Sequence, residues 1–182
     1  MGAAIGVNSA LQLLIEHSDT KKPGKWLRKG EPEAARLGYV QEIKNFSRAV
    51  KIVAGEANHK LFNRPDFIAS LRDGLAKNPE SNLKFVFHKA DQQEYAKLLF
   101  EQDNSELVTL KREFDDRVHI YWSPVRPLQH YAVIDDEKVI LEEPGHRPST
   151  PFWAYVSTEA ERAKDWEALF DEYVSYCDEL SF

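Results

Sequence analysis

From residue 50 onward the sequence alternates short β-branched runs with amphipathic helical stretches, and that alternation leaves few folds open. Val50-Lys-Ile-Val-Ala54 reads as a strand, and Pro65 to Ala76 as a helix closed by Asn78-Pro79. Leu83 to His88 is a second strand. Gln92 to Gln102 and Glu106 to Phe114 read as consecutive helices capped by Asp91 and by Asn104-Ser105, and Val118 to Trp122 is a third strand. Crossovers of that length join parallel strands. The expected class is therefore α/β, with a mixed, mainly parallel sheet flanked by helices. In such sheets a ligand lies beyond the carboxyl ends of the parallel strands. Those ends carry Glu56, Asn58 and His59, then His88 and Lys89, then Trp122 and Ser123.

Residues 130–144, His-Tyr-Ala-Val-Ile-Asp-Asp-Glu-Lys-Val-Ile-Leu-Glu-Glu-Pro, set apolar runs on both sides of a polar tetrapeptide and read as an antiparallel hairpin. With Asp136-Glu137 as the turn, Asp135 pairs with Lys138 and His130 falls opposite Glu143. Alternation then puts His130, Ala132, Ile134, Val139, Leu141 and Glu143 on one face. A histidine facing a carboxylate there has two readings. Glu143 orients the ring for a nucleophilic or acid–base role, or the pair simply satisfies itself at a strand end. Pro144 to Pro151 is a loop holding His146 and Arg147, and Phe152 to Val156 is a further strand. A long amphipathic helix capped by Thr158 runs through Trp166, Leu169, Phe170, Tyr173 and Val174 to Cys177.

Residues 1–49 read as an N-terminal helical or linker segment, and 50–182 as one α/β domain. Asn8 to His17 suggests a short helix, and Glu33 to Ser47 another, with Ala34, Leu37, Val40, Ile43 and Phe46 near one face. Between them Asp19 to Pro32 reads as a loop in which Lys21, Lys22, Lys25, Arg28 and Lys29 surround Trp26. That mix is either a solvated loop with a packed tryptophan or a surface for phosphate, an acidic partner or a membrane. The chain has 42% hydrophobic residues, which excludes disorder over most of its length, and no apolar run approaches the ~20 residues that span a bilayer. The single cysteine, Cys177, precludes an internal disulfide and reads as a buried small hydrophobe. A reducing, cytoplasmic setting is expected, and the net charge of −6 weighs against a broad nucleic-acid surface. Neither a glycine-rich phosphate loop nor a Gly-x-Ser-x-Gly elbow occurs. Glu142, Glu143 and His146 are close in sequence but on a Pro/Gly loop, so neither a metal nor a cofactor is expected.

The run from Val50 to Tyr173 resembles one half of the phospholipase D-like fold. The resemblance rests on the strands Val-Lys-Ile-Val-Ala-Gly and Val-His-Ile-Tyr-Trp, on His130 opening the hairpin, and on the terminal helix with Trp166 and Phe170. In catalytic members the hairpin reads His-x-Lys-x-x-x-x-Asp, followed by Gly-Ser and an Asn. The resemblance implies that His130 occupies the place of the nucleophile that forms a phosphohistidine. Ala132 stands where the Lys belongs, Glu137 where the Asp belongs, and Leu141-Glu142-Glu143 in the region of the Gly-Ser-x-Asn element. A developing phosphorane needs preorganised positive charge, so losing the lysine and gaining carboxylates both oppose hydrolysis. Arg126 and Arg147 are the loop cations able to replace it. What this implies is a degenerate single-half domain, non-catalytic, acting as a ligand-binding, regulatory or protein-interaction module. Its ligand would be a small or phosphate-containing molecule held by Glu56, Asn58, His59, His88, Trp122, Arg126 and Arg147, with nucleic acid not favoured. A homodimer or a larger-protein partner would supply the other half. The alternative is a divergent phosphodiesterase or nuclease using His130 in a homodimer.

Overall fold

The computed structural model describes residues 24–27, 32–55, 59–89, 92–142 and 154–182. In chain order its elements are β1 (Gly24–Leu27), α1 (Pro32–Ile43), β2 (Ala49–Val53), α2 (His59–Phe62) and α3 (Pro65–Lys77). Then come β3 (Asn82–His88), α4 (Gln93–Asp103), α5 (Ser105–Glu113), β4 (Val118–Ser123), β5 (Tyr131–Ile134) and β6 (Lys138–Glu142). The chain finishes with β7 (Ala154–Ser157), α6 (Ala160–Val174) and β8 (Asp178–Glu179). Among the described residues all the strands join one eight-stranded sheet in the order β1-β7-β6-β5-β2-β3-β4-β8. Strands β2, β3 and β4 run parallel at its centre, with Ile52, Phe85 and Ile120 abreast. The α/β class with a mixed sheet and an antiparallel hairpin is as expected. The antiparallel part is larger than the hairpin alone, because β6 passes its pairing on to β7 and β7 to β1, while β8 closes the other edge.

Alternation along these strands makes two cores. Val50 and Ile52, Leu83, Phe85 and Phe87, Val118 and Ile120 pack with α1 to α5 in the larger core. Val53, Val86, Tyr131, Val133 and Val139 face the other way, onto Ala163, Trp166, Leu169 and Phe170 of α6. Those helix positions recur at three- and four-residue spacing, which makes one apolar stripe. Lys51 emerges on that side almost fully buried, 2.6 Å from Glu167 and 3.1 Å from Asp171. Burial pulls its ammonium down, but the hydrogen bonds to both carboxylates outweigh that and leave it above its ordinary value. In the larger core Tyr39, Val40, Ile43 and Phe46 are all at most 4% exposed, so one hydrophobic core extends to both sides of the boundary read at residue 50.

Three expectations are corrected. The hairpin is one residue out of the register read from sequence: Ile134, not Asp135, pairs with Lys138, and Tyr131 pairs with Leu141. The turn has three residues, with Asp135 and Asp136 both at positive φ (55° and 57°), a conformation aspartate tolerates better than most side chains. The cause is distant in sequence. The Asp135 carboxylate accepts the backbone N–H groups of Ser47, Arg48 and Ala49 at 2.8, 2.7 and 2.9 Å, which draws it out of the ladder. A one-residue slip turns one arm over relative to the other. Ala132, Ile134 and Ile140 therefore share the larger core, whereas Val139 and Leu141 lie under α6. Secondly, the stretch read as a basic loop contains β1, antiparallel to β7 from Gly24↔Ser157 to Leu27↔Ala154. Thirdly, α6 ends at Val174, with Cys177 beyond it. The helix read over Asn8 to His17 and the loop from Pro144 to Pro151 lie outside the described residues.

Candidate functional site

His130 precedes β5 at the carboxyl end of β2, and two groups hold its ring. Its Nδ1 is 3.3 Å from Glu142 Oε2, the side chains being 32% and 14% exposed. Backbone pairing explains the contact, because the Glu142 N–H donates to the His130 carbonyl at 3.0 Å. Buried Gln129 closes the same end, its Nε2 donating to the carbonyls of His130 and Glu142. The carboxylate at His130 is thus Glu142, as the corrected register requires, in place of Glu143.

The other edge of the ring lies on Gly55. A Cβ built there would be 2.5 Å from His130 Nε2 and 2.7 Å from Cε1. No side chain fits that space without moving the imidazole. We expect Gly55→Ala to lower stability by about 1–2 kcal/mol through overpacking and to displace the ring; a shift of the His130 Hε1 resonance checks it, and an unmoved resonance in a folded variant would refute the contact.

The remaining strand-end residues divide. His88 is buried and its Nδ1 is 3.0 Å from the Ser123 carbonyl, which fixes Nδ1 as the donor when the ring is neutral. It alternates with Val86 and so lies on the α6 side of the sheet, whereas Glu142 pairs with Ala154 of the larger core. Trp122 packs against the larger core and its indole N–H donates to the Lys89 carbonyl at 3.2 Å. Arg126 is exposed in the loop between β4 and β5. Glu56, Asn58, Glu143, His146 and Arg147 lie outside the described residues, as does the side chain of His59 in α2. Of the positions aligned with the phospholipase D motif, Ala132 is fully buried, and Glu137 is in the turn at the far end of β5, 3.7 Å from Arg48. Among the described residues no group of three or more His, Cys, Asp or Glu could hold a metal ion.

Sequence reasoning missed the roles of Gly55 and Tyr39. Gly55 was visible as a lone glycine after a strand but had no partner to suggest its role. Tyr39, on α1, is fully buried in the larger core, and its hydroxyl has no hydrogen-bond partner among the described residues. Burial, and then the charge of Glu142, raises its pKa well above the ordinary tyrosine value. On the α6 side Tyr173 and Ser123 share a 2.7 Å hydrogen bond. There burial holds the Cys177 thiol up at about 11, which makes it an unreactive thiol.

No family model matches the chain, and neither does any curated protein. Solved structures do. Nuc from Salmonella typhimurium, a phospholipase D family member, superposes with a TM-score of 0.62 at 11% identity, over 88% of this chain and 100% of its own. NucT from Helicobacter pylori gives 0.59 at 10%, over 87% and 99%. The fold is phospholipase D-like. TrmBL2, an archaeal chromatin protein with a novel mode of DNA binding, also superposes, with a TM-score of 0.62 at 9% identity, over 98% of this chain and 62% of its own. At these identities the likeness is one of phospholipase D-like fold. Within the described residues no helix is long and apolar enough to cross a membrane.

Proposed function

We propose that the chain is a non-catalytic phospholipase D-like domain that serves as a ligand-binding, regulatory or protein-interaction module. One observation carries the reading: Nδ1 of His130 is held by Glu142, and the Gly55 backbone crowds the Nε2 edge by which the ring would face a substrate. A nucleophile has to present one nitrogen's lone pair to phosphorus. The local charge supports the same conclusion. Where the family's lysine would stand, Ala132 is buried, and the charged group described at His130 is a carboxylate, which repels a phosphodiester. That TrmBL2 matches over 98% of the chain supports a binding role for the fold, while the net charge of −6 weighs against DNA as this chain's own ligand. A homodimer or a larger-protein partner belongs to this proposal, since the chain corresponds to the whole of Nuc and holds one such unit. So does a reducing, cytoplasmic setting, supported by the single thiol.

The test is turnover of bis(p-nitrophenyl) phosphate and of single-stranded DNA. The expected result is no release above that of His130→Ala protein. Turnover that disappears in His130→Ala would overturn the proposal in favour of a phosphodiesterase.

A further inference from the structure

Residues 178–182 lie along the outer edge of β4 as a short strap. Asp178 and Glu179 form the edge strand β8, opposite Trp122 and Tyr121. The Leu180 N–H continues the ladder to the Ile120 carbonyl at 2.8 Å, and the Leu180 side chain is buried in the larger core. Phe182 ends the strap against Phe100, with ring centroids 5.9 Å apart, and Lys97 Nζ is 5.3 Å from the Phe182 centroid. Glu179 Oε1 is 2.7 Å from His119 Nδ1 on the same edge. Beneath the strap β4 reads Val-His-Ile-Tyr-Trp-Ser, a β-rich run of the kind found inside sheets. Such a strand left open at an edge pairs with another chain.

The strap is lightly held. One buried leucine, one half-buried aromatic and a two-residue strand secure it, while Asp178, Glu179 and Ser181 are exposed. A unit with so little buried apolar surface opens well below the free energy of global unfolding. Its hinge is the turn from Ser175 to Cys177, where the N–H groups of Tyr176 and Cys177 donate to the Tyr173 and Val174 carbonyls at 3.1 and 2.9 Å. Around that turn Tyr173, Val174 and Cys177 pack against the core under α6, but Tyr176 belongs to neither core and is 47% exposed.

We propose that the outer edge of β4 takes residues 178–182 of a second copy, so that two chains exchange their straps in a dimer. The exchanged strap makes every contact just described, now between chains: the ladder to Ile120 and Trp122, the Leu180 burial, the Phe182 stack and the Glu179–His119 pair. Exchange therefore loses no contact of the strap. Straightening the short turn at 175–177 lays the two hinges side by side about a two-fold axis. There the exposed Tyr176 meets its own copy, a contact the closed chain lacks. A foreign segment would need an acidic residue and leucine in succession with an aromatic two positions on; a second copy has that pattern by identity. The inference rests on the homodimer in the reading above and gives that homodimer its surface.

Light scattering of the full chain from micromolar to millimolar concentration tests it, together with oxidation of a Tyr121→Cys/Glu179→Cys variant in a Cys177→Ser background. Positions 121 and 179 pair directly, and the bond between Leu180 and Ile120 makes theirs the non-hydrogen-bonded pair. Cα atoms in such a pair are about 4.5 Å apart, within reach of a disulfide. The expected result is a dimer whose share grows with concentration and whose oxidation links chain to chain. Tyr176→Ala should raise the dissociation constant about tenfold and leave the melting temperature of the monomer unchanged. A monomer at every concentration, or a dimer whose disulfides all close within one chain or do not form, overturns the inference. So does an unrelated thiol peptide that links to Tyr121→Cys as readily as a peptide of residues 178–182 bearing Glu179→Cys. Monomeric protein without turnover removes this inference alone, whereas turnover dependent on His130 overturns the non-catalytic reading without moving either oligomer readout.

Discussion

Asp135→Ala is expected to destabilise the protein by about 2–4 kcal/mol, lowering the melting temperature by roughly 5–15 °C. Asp135 joins two segments far apart in sequence. Its Oδ1 accepts from the Arg48 and Ala49 N–H groups and its Oδ2 from the Ser47 N–H and hydroxyl. Its own N–H donates to the Ala49 carbonyl at 2.9 Å. Alanine leaves three backbone donors without their acceptor just where the chain enters the central strand. It also places a methyl at φ 55°, which costs about 1 kcal/mol more. Exposure of Ser47 and Arg48 lets water recover part of the loss, so the sum of three charge-assisted bonds is not reached. Asp135→Asn separates charge from geometry: it keeps one acceptor and tolerates the positive φ, and it should lose about half as much. Thermal unfolding followed by circular dichroism decides this; equal melting temperatures for Ala and Asn would show that the turn conformation, not the acceptor, is what matters.

The same residue explains why the sequence alone misplaces the hairpin. Its strands are legible from Val133, Ile134, Val139 and Ile140, but the register depends on bonds to residues 86 to 88 positions earlier. Local pairing rules see a two-residue turn at Asp136-Glu137 and cannot see Ser47 to Ala49. The central strands had no such difficulty, since β-branched and aromatic residues at alternate positions fix both their type and their faces. Strand β1 was hidden for the opposite reason. Gly24 and Lys25 lack β-propensity, and the strand exists through pairing with residues 154–157. The site was half legible. Strand-end logic located His130 and His88 but gathered them into one cleft, whereas alternation with Val86 sends His88 to the α6 side. Tyr39 had no signal at all, because its complete burial comes from the packing of α1 against Phe67 and the rest of the larger core.

Trp166→Ala should cost about 3–5 kcal/mol, the range for emptying a buried aromatic site, and lower the melting temperature by roughly 6–20 °C. Trp166 is fully buried, with its ring centroid 4.7 Å from that of Tyr131. It is the largest side chain holding α6 on the sheet. Leu169 and Phe170 lie on the same stripe and cannot slide to fill the void, because Lys51 pins the next turn through Glu167 and Asp171. Rigid surroundings keep the cavity open, and that argues for the upper half of the range. Trp166→Phe makes a sharper control. The indole N–H has no partner among the described residues, so phenylalanine removes an unsatisfied donor while retaining most of the apolar contact. Its loss should be less than half that of alanine. Tyr131 opens the strand that His130 precedes, so a void beneath it also loosens the end of β5. The His130 ring resonances should therefore broaden or shift in Trp166→Ala at temperatures well below its melting point. A variant that melts within 2 °C of the parent, with those resonances unmoved, would mean that α6 is held by its ion pairs and not by this core.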